Sequence, residues 1–197
     1  MVKKKFLDPN LNNKAKTVEN KIQLYKFQGE NFPLPTEIEI SESGTCNRSC
    51  SFCPRSAPGF EDKKEFITNE LHEKLCLELK NLDYKGTVRY SGFVEPLIDK
   101  NIFNLIKMLR DNLPKVNIEM VTNGDPLNLK RLNKLFENGL NKILISAYDG
   151  EEDALKLENL CKEAKLTNEQ YIVRHRYYSQ DQDFGITLSN RSGLMEN

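Results

Sequence analysis

From residue 36 onward, short apolar runs at strand spacing alternate with longer stretches at helical spacing. Glu37-Ile38-Glu39-Ile40-Ser41 reads as a first strand, with its apolar residues at every second position. Leu71, Leu75, Leu79 and Leu82 recur at helical spacing behind Thr68, a residue suited to an N-cap, with Glu70 in the first turn. Thr87-Val88-Arg89-Tyr90 is a second strand, and Ile102, Ile106 and Leu109 mark a helix that ends before Pro114. Val116 to Val121 is a third strand. Asp125-Pro126 then supplies an N-cap and a first-turn proline, and Gly139 a C-terminal stop. Lys142 to Ser146 is a fourth strand, followed by a helical face of Leu157, Leu160, Cys161 and Ala164. Tyr171 to Arg174 is a fifth strand and Gly185 to Ser189 a sixth, with the polar residues 178–184 as a loop between them. Such alternation implies an α/β fold with a mostly parallel sheet, wound in one direction by right-handed crossovers. A closed eightfold barrel needs about 250 residues. The 197 residues here fit a partial (β/α)6 barrel with a mostly parallel six-stranded sheet.

Residues 1–35 are polar and end in Phe32-Pro33-Leu34-Pro35, so they read as a lead-in packed outside a core domain of residues 36–197. Lys+Arg and Asp+Glu balance at 29 each. No global field therefore steers nucleic acid toward the chain. Lys3, Lys4 and Lys5 make a solvated basic start, with too few apolar residues behind them for a signal peptide. No stretch approaches the roughly 20 apolar residues of a membrane span. The expectation is a soluble, cytoplasmic protein with neither a membrane nor a nucleic-acid partner. Five cysteines, an odd number, argue against a disulfide framework.

Three of those cysteines, Cys46, Cys50 and Cys53, stand in a C-x3-C-x2-C run just after the first strand. Soft thiolates clustered on one short loop suit an iron–sulfur cluster or zinc. A closed structural zinc site takes four ligands, so the zinc reading needs His72 or a distant cysteine as the fourth. A four-iron cubane held by three cysteines leaves one iron open to a substrate. The run Glu42 to Pro54, with aromatic Phe52 before the third cysteine, resembles the radical S-adenosylmethionine (radical SAM) superfamily. The resemblance covers roughly residues 36–193. It implies a partial barrel of TIM type, one [4Fe-4S] cluster on Cys46, Cys50 and Cys53, and S-adenosylmethionine (SAM) as cofactor.

In barrels of this type the chemistry sits at the C-terminal ends of the strands. The unusual polar residues of this chain fall at those ends, one set after another. Ser91 to Leu97 resembles the family's glycine-rich motif ending in Glu-Pro, which implies that Gly92 and Glu95 face the methionine amino group. Val94 departs from the pattern, standing where a glycine is common. Thr122-Asn123-Gly124 resembles the turn after the third family strand and places Asn123 at SAM; an ordinary Asn-Gly turn is the alternative. Ser146 and Asp149-Gly150 resemble a Ser-x-Asp-Gly element with one extra residue. Ser146 would bind the ribose, and Asp149 reads equally as a helix N-cap. Arg174 suits the SAM carboxylate or faces outward. Phe52 packs on adenine or fills core. Cys76 and Cys161 lie on helical faces and read as buried small hydrophobes. His72 and His175 lack metal-ligand spacing.

The implied activity is reductive cleavage of SAM to a 5′-deoxyadenosyl radical that abstracts hydrogen from a substrate. An external electron donor of flavodoxin or ferredoxin type would supply the electron. The substrate, a peptide, a protein or a small molecule, is left open, and no protein acid or base is picked out. Asn190-Arg191-Ser192-Gly193 resembles the end of the core in members that continue into a cysteine-rich SPASM extension. The sequence stops at Asn197, so a minimal enzyme, one half of a split enzyme, and a truncation lacking its C-terminal extension or partner all stay open. The alternatives are a non-catalytic iron–sulfur or zinc module, and a truncated, inactive core of the same family.

Overall fold

The computed structural model describes residues 23–177. The predicted sixth strand (185–189), the loop at 178–184, Asn190 to Gly193 and Lys3 to Lys5 lie outside the described residues. The elements are strands β1 (Leu24–Phe27), β2 (Glu30–Pro33) and β3 (Glu37–Ile40), helix α1 (Asn69–Asn81), β4 (Thr87–Tyr90) and α2 (Ile102–Asn112). They continue with β5 (Asn117–Thr122), α3 (Leu129–Glu137), β6 (Lys142–Ala147), α4 (Glu151–Glu163) and β7 (Tyr171–His175). Strands β3 to β7 form one parallel sheet in chain order. This is the expected α/β alternation, with five strands in the sheet among the described residues where the periodicity predicts six.

Side chains alternate across a strand, and the two faces of this sheet differ in kind. On one face Ile40, Val88, Tyr90, Ile118, Met120, Ile143 and Ile145 are buried against Leu79, Leu105, Ile106, Leu109, Leu132, Leu135, Leu157 and Cys161 of the four helices. The opposite face carries Glu39, Arg89, Ser91, Ser146 and Arg174, which line a cavity. Strand register sets Glu39 beside Arg89 and Arg89 beside Glu119. Arg89 and Glu119 are each 1% exposed and pair at 2.7 Å, while Glu37 closes on the other side of the guanidinium. The apolar packing that holds the domain together is therefore between sheet and helices, and the lumen is left polar.

Two local expectations are corrected. The first concerns α1, where Thr68 caps as predicted, its hydroxyl accepting from the Leu71 N–H at 3.2 Å. The buried stripe, however, is His72, Cys76 and Leu79; Leu71 is 58% exposed. His72 can be buried because its Nε2 meets the Tyr90 hydroxyl at 2.8 Å. The second concerns α3, which starts at Leu129 with Asn128 as its N-cap, three residues beyond the predicted Asp125. Asp125 is instead drawn into an ion pair with Arg48. The predicted stop at Gly139 is where the helix ends, with φ +105° and its N–H on Phe136 O at 3.0 Å. Within the lead-in, for which no element is predicted, β1 and β2 form an antiparallel hairpin. Its two turn residues, Gln28 and Gly29, both have positive φ, the combination that a right-twisted hairpin favours. Gln23 fastens its base to the α1–β4 turn, donating to Asp83 O at 2.8 Å and accepting from the Lys85 N–H at 3.0 Å. That is the end of the sheet away from the cysteine loop. Among the described residues, no helix is long and apolar enough to cross a membrane.

Candidate active site

Cys46, Cys50, Cys53, Phe52, Gly92, Glu95, Asn123, Ser146 and Arg174 all line one cavity of about 510 Å³ at the C-terminal ends of the strands. Predicted separately from five strand ends, they meet on one wall.

The cysteine loop leaves β3 and is tied down on several sides. Ile67 N–H donates to Glu42 O at 2.7 Å and Gly44 N–H to Glu65 O at 2.9 Å, so the returning segment runs alongside the root of the loop. A side chain at Gly44 would sit 2.3 Å from Lys63 O, which is why the position is glycine. Glu95 N–H donates to Thr45 O at 3.1 Å and joins the loop to the segment after β4. Beyond Cys53, Pro54–Ser56 makes a short 3-10 turn in which Ser56 Oγ donates to Cys53 O at 2.8 Å. Cys46 Sγ accepts from the Arg48 N–H at 3.4 Å and from Asn123 Nδ2 at 3.8 Å. Burial raises the Cys46 and Cys50 thiols above the ordinary cysteine value, so it is a metal that would deprotonate them.

Two arginines in this loop were missed by sequence reasoning. Arg48 reaches Asp125 and Asp149, and Arg55 donates to Gly44 O and Phe93 O at 3.1 Å each and pairs with Asp62. No local pattern announces Arg48, whose partners come from two other loops; Arg55 ties together the cysteine loop, its own returning segment and the segment after β4. Asp149 is not the N-cap of α4; Gly150 holds that position.

Glu95 is 1% exposed and its carboxylate is already engaged. It accepts from Leu97 N–H at 3.0 Å, Thr122 Oγ1 at 2.7 Å and Asn123 N–H at 2.8 Å. Burial raises its pKa, and these three donors act against the rise. It braces the segments after β4 and β5 against each other at the cavity wall. Gly92 has φ +126°, and a Cβ there would meet Ser41 Oγ at 2.1 Å. Glycine is therefore required where this segment crosses β3. Val94 also lines the cavity. Asn123 makes the turn, its Oδ1 accepting from Asp125 N–H at 3.0 Å, while Nδ2 donates to Asn47 Oδ1 of the cysteine loop at 2.7 Å. Arg174 faces the cavity, in register with Ser146 and 3.5 Å from its hydroxyl. Phe52 packs on Tyr148 with ring centroids 5.2 Å apart, a partner that sequence reasoning did not single out.

Cys76 and Cys161 are fully buried, as predicted, and burial pushes their thiols to about 11 and about 12. His72 lies between Tyr90 and Cys76, and burial holds its pKa down at about 4. It is thus neutral, committed elsewhere, and not a fourth zinc ligand. His175 meets Glu158 at 3.2 Å and Tyr177 at 3.1 Å. Among the described residues, no three Cys, His, Asp or Glu side chains converge as a single ion would require. Three thiolates on one loop, half-buried at a polar cavity with N–H donors to sulfur, fit a cluster that leaves one metal corner to a small ligand.

Glu42, at the root of the cysteine loop, is 1% exposed, and its Oε2 has no hydrogen-bond partner among the described residues. Burial raises its pKa to about 7, with Asp99 and Glu95 adding to the rise. A native state that holds this proton is fully stabilised below the unfolded value of 4.5 and loses that stability as pH rises through about 7. Glu42→Gln is therefore expected to match the wild type at pH 4. At pH 8 it should be more stable by up to about 3 kcal/mol, read from urea unfolding at the two pH values. Equal stability at pH 8 would rule out a buried charge there.

A family model described as the radical SAM superfamily matches residues 40–180. The S-adenosyl-L-methionine-dependent 2-deoxy-scyllo-inosamine dehydrogenase of Niallia circulans is 29% identical over 160 residues, 81% of this chain and 60% of that protein. A probable GTP 3',8-cyclase of Pyrococcus horikoshii is 32% identical over 111 residues, 56% of this chain and 34% of that protein. The crystal structure of BtrN in complex with AdoMet and 2-DOIA superposes with a TM-score of 0.68 at 28% identity, covering 83% of this chain and 63% of that one. The chain thus spans less than two thirds of the length of the relatives it matches. Enzymes of the superfamily use a [4Fe-4S] cluster and SAM. With a match over most of its length, and with the fold and cysteine loop in the arrangement described, the chain belongs to the radical SAM superfamily.

Proposed function

We propose that this chain binds one [4Fe-4S] cluster through Cys46, Cys50 and Cys53, binds SAM in the adjoining cavity, and cleaves it reductively to start hydrogen abstraction. The observation that carries this reading is the convergence of every predicted site residue on one cavity wall. When bound, the cluster supplies one electron to the sulfonium, giving methionine and the 5′-deoxyadenosyl radical. The chain's own residues bind and orient. Gly92 keeps the wall clear for the methionine moiety, and Glu95 fixes that wall. Arg174 offers its planar fork to the SAM carboxylate. Ser146 faces the ribose, Asn123 steadies the cysteine loop beside it, and Phe52 with Tyr148 provides an aromatic surface for adenine.

Residues 36–197 form the core domain in this reading, with 1–35 as the lead-in. The electron donor is a flavodoxin or ferredoxin type protein, and the setting is cytoplasmic. The relatives' names give different substrates, 2-deoxy-scyllo-inosamine and GTP, so none is carried over.

The test is anaerobic reconstitution with iron and sulfide, addition of SAM and a strong reductant, and quantification of 5′-deoxyadenosine against a Cys50→Ala control. Product in the wild type and none above background in the variant is expected. A well-formed cluster that yields no product would sink the activity and leave an inactive core of the family.

A further inference from the structure

We propose that Arg48 is a positioning residue, holding the cysteine loop in its cluster-binding conformation by clamping it to Asp125 and Asp149. This rests on the cluster reading above. The loop starts from β3, which is an edge strand of the sheet among the described residues. Arg48 stands between Cys46 and Cys50 at the edge of the cavity, and its guanidinium reaches across to the segments after β5 and β6. Nε donates to Asp125 Oδ2 at 2.6 Å, and Nη2 also closes on Asp125 Oδ1. Nη1 donates to Asp149 Oδ1 at 2.7 Å and Nη2 to Asp149 Oδ2 at 2.6 Å. Asp125 follows β5 and Asp149 follows β6, so one side chain ties the loop to two others.

A second tie runs alongside. Asn47 Nδ2 donates to Asp125 Oδ2 at 2.7 Å and accepts through Oδ1 from Asn123 Nδ2. An isolated exposed ion pair fixes little. Two carboxylates, each bound bidentately by one planar fork, fix direction as well as distance. The side chain of Arg48 is 17% exposed and its guanidinium carbon lies 5.7 Å from the centre of the Tyr148 ring, which limits its movement further.

Positioning can be separated from simple charge balance. Without Arg48, two uncompensated carboxylates stand near three thiolates. Asn at both 125 and 149 removes that repulsion without restoring the clamp. The measurements are iron and sulfide per chain, the rate of iron transfer to a chelator, the electron paramagnetic resonance spectrum of the reduced cluster, and alkylation rates of the thiols in the apoprotein. Circular dichroism checks the fold. Arg48→Gln is expected to release iron roughly 10-fold faster or more, in line with outer-shell partners of metal sites. Its apoprotein thiols should alkylate faster and its spectrum broaden. Arg48→Lys, a point charge without the fork, should not restore the wild-type rate. The triple variant with Asp125→Asn and Asp149→Asn should stay as defective as Arg48→Gln. Should Arg48→Gln not fold, Asp149→Asn alone removes half of the clamp and should give an intermediate release rate.

Recovery in the triple variant would overturn positioning in favour of charge balance. Wild-type iron retention and alkylation in Arg48→Gln, with an intact wild-type cluster, would overturn the clamp alone. A wild type that takes up no iron and sulfide would instead sink the cluster reading.

Discussion

Glu95→Ala is expected to lower stability by about 3–5 kcal/mol and to abolish SAM binding, read by urea unfolding and by titration of the reconstituted protein with SAM. The size follows from what the carboxylate holds. Leu97 N–H, Thr122 Oγ1 and Asn123 N–H all donate to it, on residues that are at most 8% exposed. Alanine would strand three buried donors at about 1–3 kcal/mol each, partly offset where the chain relaxes. It would also release the segments after β4 and β5, which form the cavity wall where the methionine moiety would sit. Glu95→Gln separates bracing from direct contact. Its carbonyl can still accept from Leu97 and Thr122, but its amide then turns a donor toward the Asn123 N–H. An intermediate stability loss is therefore expected. Full stability with weaker SAM binding would show instead that Glu95 acts only through the ligand.

The sequence made the site legible where its signals are local. Cys46, Cys50 and Cys53 are spaced within one loop, and their chemistry is set by residue type. Strand ends follow from two-residue periodicity, which is why the sequence alone assigns Gly92, Asn123, Ser146 and Arg174 to strand ends that one pocket can collect. The same locality explains the errors. Asp125-Pro126 is a sound helix-start signal, but it lost to Arg48, 77 residues away. The leucine spacing of α1 pointed to Leu71, whereas burial followed His72 and Cys76, because the Tyr90 hydroxyl made a buried imidazole acceptable. The β1–β2 hairpin leaves no strand signal within the lead-in, since seven of its eight strand residues are exposed and no buried alternation marks it. Gln-Gly is also a weaker turn signal than Asn-Gly.

Polarity of the lumen was the least legible property of all. Glu37, Glu39, Arg89 and Glu119 are scattered through three strands, and each alone reads as a surface charge on an alternating strand. Parallel pairing without stagger brings Glu39, Arg89 and Glu119 into one row, and closure of the sheet around the cavity turns that row inward. Burial then follows from topology, and the opposite charges make it tolerable.

Arg89→Met should consequently cost about 3–5 kcal/mol in urea unfolding, the penalty for removing one partner of a buried ion pair. The guanidinium donates to Glu119 through Nε at 3.2 Å and Nη2 at 2.7 Å, and pairs with Glu37 through Nη1. Methionine takes the guanidinium away from a Glu119 side chain that is 2% exposed, while Asn117 Nδ2 still donates to its Oε1 at 2.9 Å. Adding Glu119→Gln removes the stranded charge and should recover more than half of the loss, because the penalty comes from the unpaired ion and not from missing attraction. If the double variant is no more stable than Arg89→Met, the row is not an ion pair in the native protein and the cost lies in packing. The outcome also bears on chemistry. Arg89 lines the cavity, so a double variant that regains stability, binds SAM and still fails to turn over would give the charged floor a role toward the substrate. One that regains all three would leave it a folding element, tolerated in the lumen because its charges cancel.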